Sequence, residues 1–234
     1  MVKSALLARD FNQIGKLPKY FLPREGKFIR DYNIEVWPGY LSTSRLLADG
    51  YFLNVDTCTK FINSETVYDR IQFLRKTMSD DQIADRYNSS NLDTPRVTVI
   101  TRYGPDKVRS YQVDGLDTKL TPNTYSFVVR GKGAQSGQKM TMAQYLATVH
   151  NVKLRYPNQP LLYVNKPDTR IYLATEFCYE ASLPDNFTSD SRKMKALQEY
   201  KISNPTDRFE RINKFLQNLQ NAHEFGEFEI NLSI

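Results

Sequence analysis

Apolar residues recur at the helical period in only a few stretches of this chain, and β-branched and aromatic runs fill much of the rest. Val67, Ile71 and Leu74 follow Ser64 at helical spacing, which predicts an amphipathic helix over residues 65–77 with Ser64 as its N-cap. Ser79-Asp80-Asp81-Gln82 has the capping-box pattern and opens a second short helix. Thr141-Met142-Ala143-Gln144 repeats that signature ahead of a helix near residues 142–150. Towards the end, Met194 and Leu197 mark one short helix. Asn204-Pro205 then supplies a cap and an N1 proline to a longer helix with Phe209, Ile212, Leu216 and Leu219 on one face and Gly226 as its stop. A single apolar face needs a surface to cover it, so this tail is expected to dock.

Strands are read from a different pattern. Residues 33–37 and 51–55 alternate as a ribbon within a stretch, 1–52, that is broken by Pro18, Pro23, Pro38 and four glycines. Pro95 closes a polar loop at residues 88–94, and from Arg96 the chain becomes β-rich. The runs 97–101, 110–113, 124–129, 160–164 and 170–174 are separated by turn residues such as Gly104-Pro105-Asp106 and Thr121-Pro122-Asn123. A glycine-rich tip, residues 131–137, leads into the helix near 142. Short strands, tight turns and one helical interruption predict an α+β domain: a small β-barrel with an inserted αβ unit over residues 53–185. The flanks are a ribbon linker at 1–52 and a helical linker at 186–234.

Composition narrows the function classes. Lys plus Arg number 32 against 26 Asp plus Glu, a formal +6 that favours an anionic partner. Fifteen Tyr and 13 Phe against one Trp supply flat faces that suit bases and β cores alike. Cys58 and Cys178 have no CxxC spacing and no histidine cluster, so both read as small buried apolar residues, and no metal, disulfide framework or cofactor is expected. No window approaches the ~18 consecutive apolar residues of a membrane span, and Met1-Val2-Lys3-Ser4-Ala5 lacks a signal peptide's apolar stretch. The expectation is a soluble chain inside the cell, in cytoplasm or nucleus. Asp80-Asp81 and the pair Asp114 and Asp117 fit caps and turns, and two histidines without a Ser-His or Cys-His pattern suggest no catalysis.

Several segments resemble one family in the right order. Gln13-Ile14-Gly15 with Glu35-Val36-Trp37-Pro38-Gly39-Tyr40 is similar to the first linker of Piwi-clade Argonautes, and Ser64-Glu65-Thr66-Val67-Tyr68-Asp69 to the entry of their PAZ domain. Residues 111–117, residues 145–157, Gln159-Pro160-Leu161-Leu162 and residues 172–178 resemble successive PAZ segments, and Glu224-Phe225-Gly226 the start of the second linker. The resemblance implies an OB-like or SH3-like barrel whose pocket buries the 3′ end of a single-stranded small RNA in Piwi-type silencing. It also implies a floor that accepts a 2′-O-methyl group.

The same resemblance assigns RNA-binding residues. Arg109 and Tyr111 become phosphate ligands, and Tyr145 and His150 donate to the same phosphate from the pocket helix. Tyr125 or Phe127 forms the aromatic wall, and Tyr172 with Leu173 the floor under the terminal ribose. Spacing alone reads these positions differently: Arg109 as a surface charge, Tyr145 as a core residue between Met142 and Val149, His150 as a residue favoured by a helix C-terminus, and the others as strand residues. Ala147 and Val149 depart from the basic residues relatives often place on that helix, with Lys139, Lys153 and Lys166 as candidates to compensate. The resemblance puts slicer activity in an RNase H-like domain after the second linker, past Ile234, and other Argonaute domains among the partners. The competing expectation is an interdomain scaffold with a degenerate pocket.

Overall fold

Each β-branched run read above lies within or across a strand of the computed structural model, which describes residues 6, 10–48, 50–88, 96–103, 108–129, 136–183, 185–201 and 204–220. The loop at 89–95, the Gly104-Pro105-Asp106 turn, most of the glycine-rich tip, Gly226 and its neighbours lie outside those residues. The chain divides into two compact units, Asn63–Ala181 and Met1–Ile62 with Ser182–Ile234.

In the unit Asn63–Ala181 one three-stranded antiparallel sheet is formed by β6 (Thr98–Arg102), β7 (Val108–Gln112) and β13 (Cys178–Glu180), with β6 in the centre. A second is formed by β8 (Gly115–Asp117), β11 (Leu161–Lys166) and β12 (Thr169–Ala174), with β11 in the centre. Helices α1 (Val67–Leu74) and α2 (Asp80–Tyr87) cover a core shared by both sheets. Val67, Ile71, Ile83 and Tyr87 meet Val99 and Cys178 of one sheet and Leu116, Leu162, Val164 and Leu173 of the other. Between β8 and β11 of the second sheet the sequence inserts the hairpin β9 (Ser126–Val128) with β10 (Lys139–Thr141), then α3 (Met142–Val149). The architecture is mixed α+β with several sheets; among the described residues no strand pairing joins the two sheets into a closed barrel.

Local chemistry fixes the helix starts. The Ser79 and Gln82 pair and the Thr141 and Gln144 pair form reciprocal capping boxes at α2 and α3, each hydroxyl accepting from an N3 backbone N–H. At α1 the cap is Thr66, not Ser64. The Thr66 hydroxyl accepts from the Asp69 N–H at 3.1 Å, and the Asp69 carboxylate accepts from the Thr66 N–H at 3.4 Å. Asp69 thus completes a capping box two residues after the predicted start, and the Ser64 hydroxyl oxygen is left buried without a partner. Inside, the Tyr87 hydroxyl donates to Glu180 at 2.8 Å, and Arg70 lies 3.5 Å from the same carboxylate oxygen.

The other unit holds a five-stranded antiparallel sheet. Strands β1 (Asn12–Gln13), β2 (Lys19–Phe21), β4 (Ile34–Leu47) and β3 (Lys27–Ile29) follow in that order, and β5 (Gly50–Asn63) pairs with β4. The two ribbon strands run 14 residues each, so β5 passes unbroken through residue 53, where the sequence pattern divides the chain. Helices α4 (Asp185–Thr188), α5 (Ser191–Gln198) and α6 (Pro205–Gln220) complete it, and the Asn204 side chain caps α6 by accepting from the Asp207 N–H at 2.8 Å. The apolar face of α6 docks, but it is not the predicted set of Phe209, Ile212, Leu216 and Leu219. Phe215 and Leu219 are fully buried against Phe11, Tyr20 and Tyr40, with the Tyr40 and Phe215 rings stacked at 4.4 Å, while Phe209 is 58% exposed. Cys178 is buried as expected. Cys58 is only half-buried, in a strand whose faces are both partly open.

Candidate functional site

The eight residues assigned to RNA binding come from four elements and the segments next to them, and all eight line one cavity of about 850 Å3. Arg109 and Tyr111 stand on β7, two apart and therefore on one face, opposite Thr101 and Val99 of β6. Tyr125 and Phe127 enter from the start of the hairpin. Tyr145 and His150 come from α3, whose first turn is set by the Thr141 cap and whose C-cap is His150 itself. Tyr172 and the buried Leu173 lie on β12. The turn following β12 is pinned: Gln159 accepts from the Thr175 hydroxyl and from the Glu176 N–H, each at 2.7 Å, and all three residues are buried.

Rings form an unbroken series along one wall. Tyr172 meets Tyr125 at 4.4 Å between centroids, Tyr125 stacks on Phe127 at 5.7 Å, Phe127 meets Tyr145 edge to face at 5.2 Å, and Tyr145 meets His150 at 5.1 Å. Tyr125 and Phe127 both belong to this series. Edge-on and offset contacts of this kind hold rings in place and leave faces for a further ring to stack on. Met142 and Leu146 of α3 are buried behind them, so Tyr145, half-buried, points its polar end into the cavity rim instead of joining the core.

The polar groups converge at one end. His150 Nε2 lies 3.3 Å from the Tyr145 hydroxyl. Burial holds the His150 imidazole below its ordinary pKa, and the positive charge of Arg109 lowers it further. Arg109 is exposed on β7, with its guanidinium directed to the same cavity. No Asp or Glu occurs among the described residues that line the space, so its field favours an anion.

Two lining residues were not legible in the sequence. Tyr103, next to the Gly104-Pro105 turn, faces His150 at 5.7 Å, and burial pushes its phenol well above the ordinary range. Arg170 of β12 is, with Arg109, a second arginine among the described residues that line the cavity. Neither stands in a motif; only strand register and the return of the chain place them. Lys139, Lys153 and Lys166 are exposed and do not line the cavity; on α3 Ala147 is exposed and outside the lining, while Val149, also exposed, is part of it. The carboxylates singled out earlier have local duties. Asp80 pairs with Arg75 at 2.8 Å, Asp114 accepts from the Asn165 N–H at 2.8 Å, and Asp117 accepts from the N–H groups of Lys119 and Leu120.

Comparison with known proteins finds relatives over most of the chain. The family model for the PAZ domain matches residues 71–203. Protein piwi of Drosophila melanogaster is 28% identical over 213 residues, covering 87% of this chain and 23% of that protein. Piwi-like protein Siwi of Bombyx mori is 24% identical over 237 residues, covering 97% of this chain and 24% of that protein. The crystal structure of Drosophila Piwi superposes with a TM-score of 0.56 at 26% identity, over 95% of this chain and 26% of that one. The chain thus spans about a quarter of the length of the curated relatives it matches. With the family model covering more than half of its length, this chain belongs to the PAZ domain family, and Piwi proteins are similar to it over nearly all of its length.

Proposed function

We propose that the cavity receives the 3′ end of a single-stranded small RNA, as a guide in Piwi-type silencing inside the cell. The observation that carries this reading is the convergence of Arg109, Tyr111, Tyr145 and His150 on one open space beside a continuous aromatic wall. Stacking on such a wall is worth ~1–3 kcal/mol per base and is indifferent to sequence. A phosphate at the polar end gains charge-assisted hydrogen bonds from Arg109 and from a protonated His150, with the Tyr145 hydroxyl as a further donor. At the other end Leu173, with Ile171 beneath Tyr172, offers apolar floor, which supports acceptance of a 2′-O-methyl ribose. These groups bind; the reading assigns them no bond-making or bond-breaking step.

The rest of the chain fits around that role. The two three-stranded sheets share a core, and we read them as the halves of the small barrel that the family places beside an inserted hairpin and helix. Residues 1–52 and 186–234 are then linkers to other domains of an Argonaute parent.

Titration of fluorescent short RNAs tests the reading. Arg109→Ala and Tyr145→Ala should each weaken binding by about 1–3 kcal/mol, roughly 5- to 150-fold. A 3′-phosphate should remove most of the affinity, and a 2′-O-methyl end should keep it. Equal binding of blocked and free ends, or unchanged affinity in both variants, overturns the assignment. A scaffold without an RNA site would in addition show no salt dependence, whereas each neutralised phosphate contributes a slope of ~0.7 on single strands.

A further inference from the structure

The cavity has an apolar lip. Val128 of β9 and Val149 of α3 both belong to the lining, yet they are 53% and 43% exposed, so they stand at its edge and not in its interior. Helix α3 carries no charged residue over Met142–Val149. Its exposed positions are Gln144, Ala147, Thr148 and Val149, and the two polar side chains among them are turned back on the helix. The Gln144 side-chain oxygen accepts from the Thr141 N–H at 2.9 Å, and the Thr148 hydroxyl donates to the Gln144 carbonyl at 2.8 Å. Towards its C-terminal end this face therefore offers methyl groups. Exposed valines are ordinary on any protein surface. What distinguishes these two is their place.

Val149 precedes His150 and Val128 follows Phe127, and both His150 and Phe127 touch the Tyr145 ring, at 5.1 and 5.2 Å between centroids. Val149 is also one helical turn beyond Tyr145 on the same face of α3. The valines thus belong to the polar end of the cavity. With the free terminal ribose at Tyr172 and Leu173 and the last linking phosphate at Arg109, Tyr145 and His150, the strand leaves past that end, and the third nucleotide from the 3′ end is the first to stand outside. We propose that Val128 and Val149 bind the base of this third nucleotide, covering its flat face by apolar contact. The inference rests on the RNA-end reading and extends it by one nucleotide. Valine methyls have no donor or acceptor to read a base edge, so any base is accepted, and purines, with the larger face, gain more than pyrimidines.

Abasic substitution tests this on the intact chain. Two short RNAs of one sequence, labelled at the 5′ end, differ only in whether the third nucleotide from the 3′ end carries its base or is abasic. Both have the same phosphates, so any contact with Lys139, which pairs with Val128 across the hairpin, cancels. The wild type should bind the base-bearing RNA about fivefold more tightly, the effect of taking roughly 40 Å2 of apolar surface out of water. Val149→Ser and Val128→Ser should each bring that ratio towards one. Val149→Lys should do the same while steepening the salt dependence by ~0.7, the share of one added phosphate contact on a single strand. The positions are exposed, so thermal unfolding should not move, and a general loss of structure would weaken both RNAs alike. Equal affinity of the wild type for the two RNAs, or a ratio that neither serine variant lowers, overturns the base contact while the end-binding reading stands. If the base-bearing RNA does not bind the wild type, both fall together.

Discussion

Acidification should tighten RNA binding and loosen the free protein at one and the same residue. His150 caps α3, half-buried, with its ring against Tyr103 and Tyr145 and its Nε2 3.3 Å from the Tyr145 hydroxyl. Burial first and the Arg109 charge second hold its pKa below 6.5, so it is neutral in the free protein at pH 7. The native state therefore takes up its proton later than the unfolded chain. The stability this contributes is complete above pH 6.5 and is lost as pH falls through the depressed native value. A bound phosphate reverses the preference, because its charge offsets that of Arg109 and accepts a hydrogen bond from the imidazolium. A hydrogen bond to a charged group is worth about 1.5–3 kcal/mol, and solvent around a half-buried ring favours the lower end. At 1.36 kcal/mol per factor of ten, that end sets a ceiling of about tenfold on the gain in affinity as pH falls from 8 to 5.5. Anisotropy titrations of one labelled RNA at constant ionic strength measure it, since internal phosphodiesters do not titrate in that range. His150→Gln should flatten the profile. An affinity that falls in acid, or an equal slope in wild type and variant, would show that no phosphate sits against this imidazole.

Three perturbations away from the polar end address the framework. Tyr87→Phe removes the donor to a buried Glu180 and should cost about 1–3 kcal/mol in urea unfolding, with RNA affinity of the folded fraction unchanged. Gly115→Ala forces the Tyr163 ring out of its place; a loss of about 1–3 kcal/mol by the same assay is expected, and a neutral result would mean the ring has room elsewhere. Phe215→Ala should destabilise the unit that holds α6 by about 3–5 kcal/mol, whereas Phe209→Ala on the same helix should stay within about 0.5 kcal/mol. Equal effects of the last two in thermal unfolding would contradict the docking of α6.

Features that depend on a few adjacent residues were legible in the sequence. Both capping boxes with Gln at N3 stand where their four-residue pattern put them, and the β-branched runs locate strands because burial on a pleated face selects them. The Ser64 reading failed on the same scale: two hydroxyls compete within three residues, and the carboxylate of Asp69 decides for Thr66. Periodicity was less informative about α6. Phe209, Ile212, Phe215, Leu216 and Leu219 together form a stripe wider than one contact face, and only the rings of Phe11 and Tyr40 select Phe215 as its centre. The length of β4 and β5 was hidden for a similar reason, since strands with two partly open faces mix Ser, Thr, Asp and Lys among their apolar positions and blur the alternation.

The site shows where such reading ends. Its eight assigned residues meet because β7, the hairpin, α3 and β12 arrive together, and no spacing within any one element encodes that; a resemblance carried the assignment, and the coordinates bring the residues together. Arg170 had no motif to carry it. An arginine two positions before a tyrosine on a strand reads as a surface charge, and the guanidinium remains largely exposed. What distinguishes it is the ladder: Tyr163 opposite Tyr172 and Gly115 opposite Tyr163 make a flat support that exists only in one register. A slip of one residue between β11 and β12 would turn the ring to the other face and leave the cation unsupported. The position of Arg170 is therefore a property of strand register, and the buried Leu162 and Val164, alternating with Tyr163 along β11, set that register by facing the core.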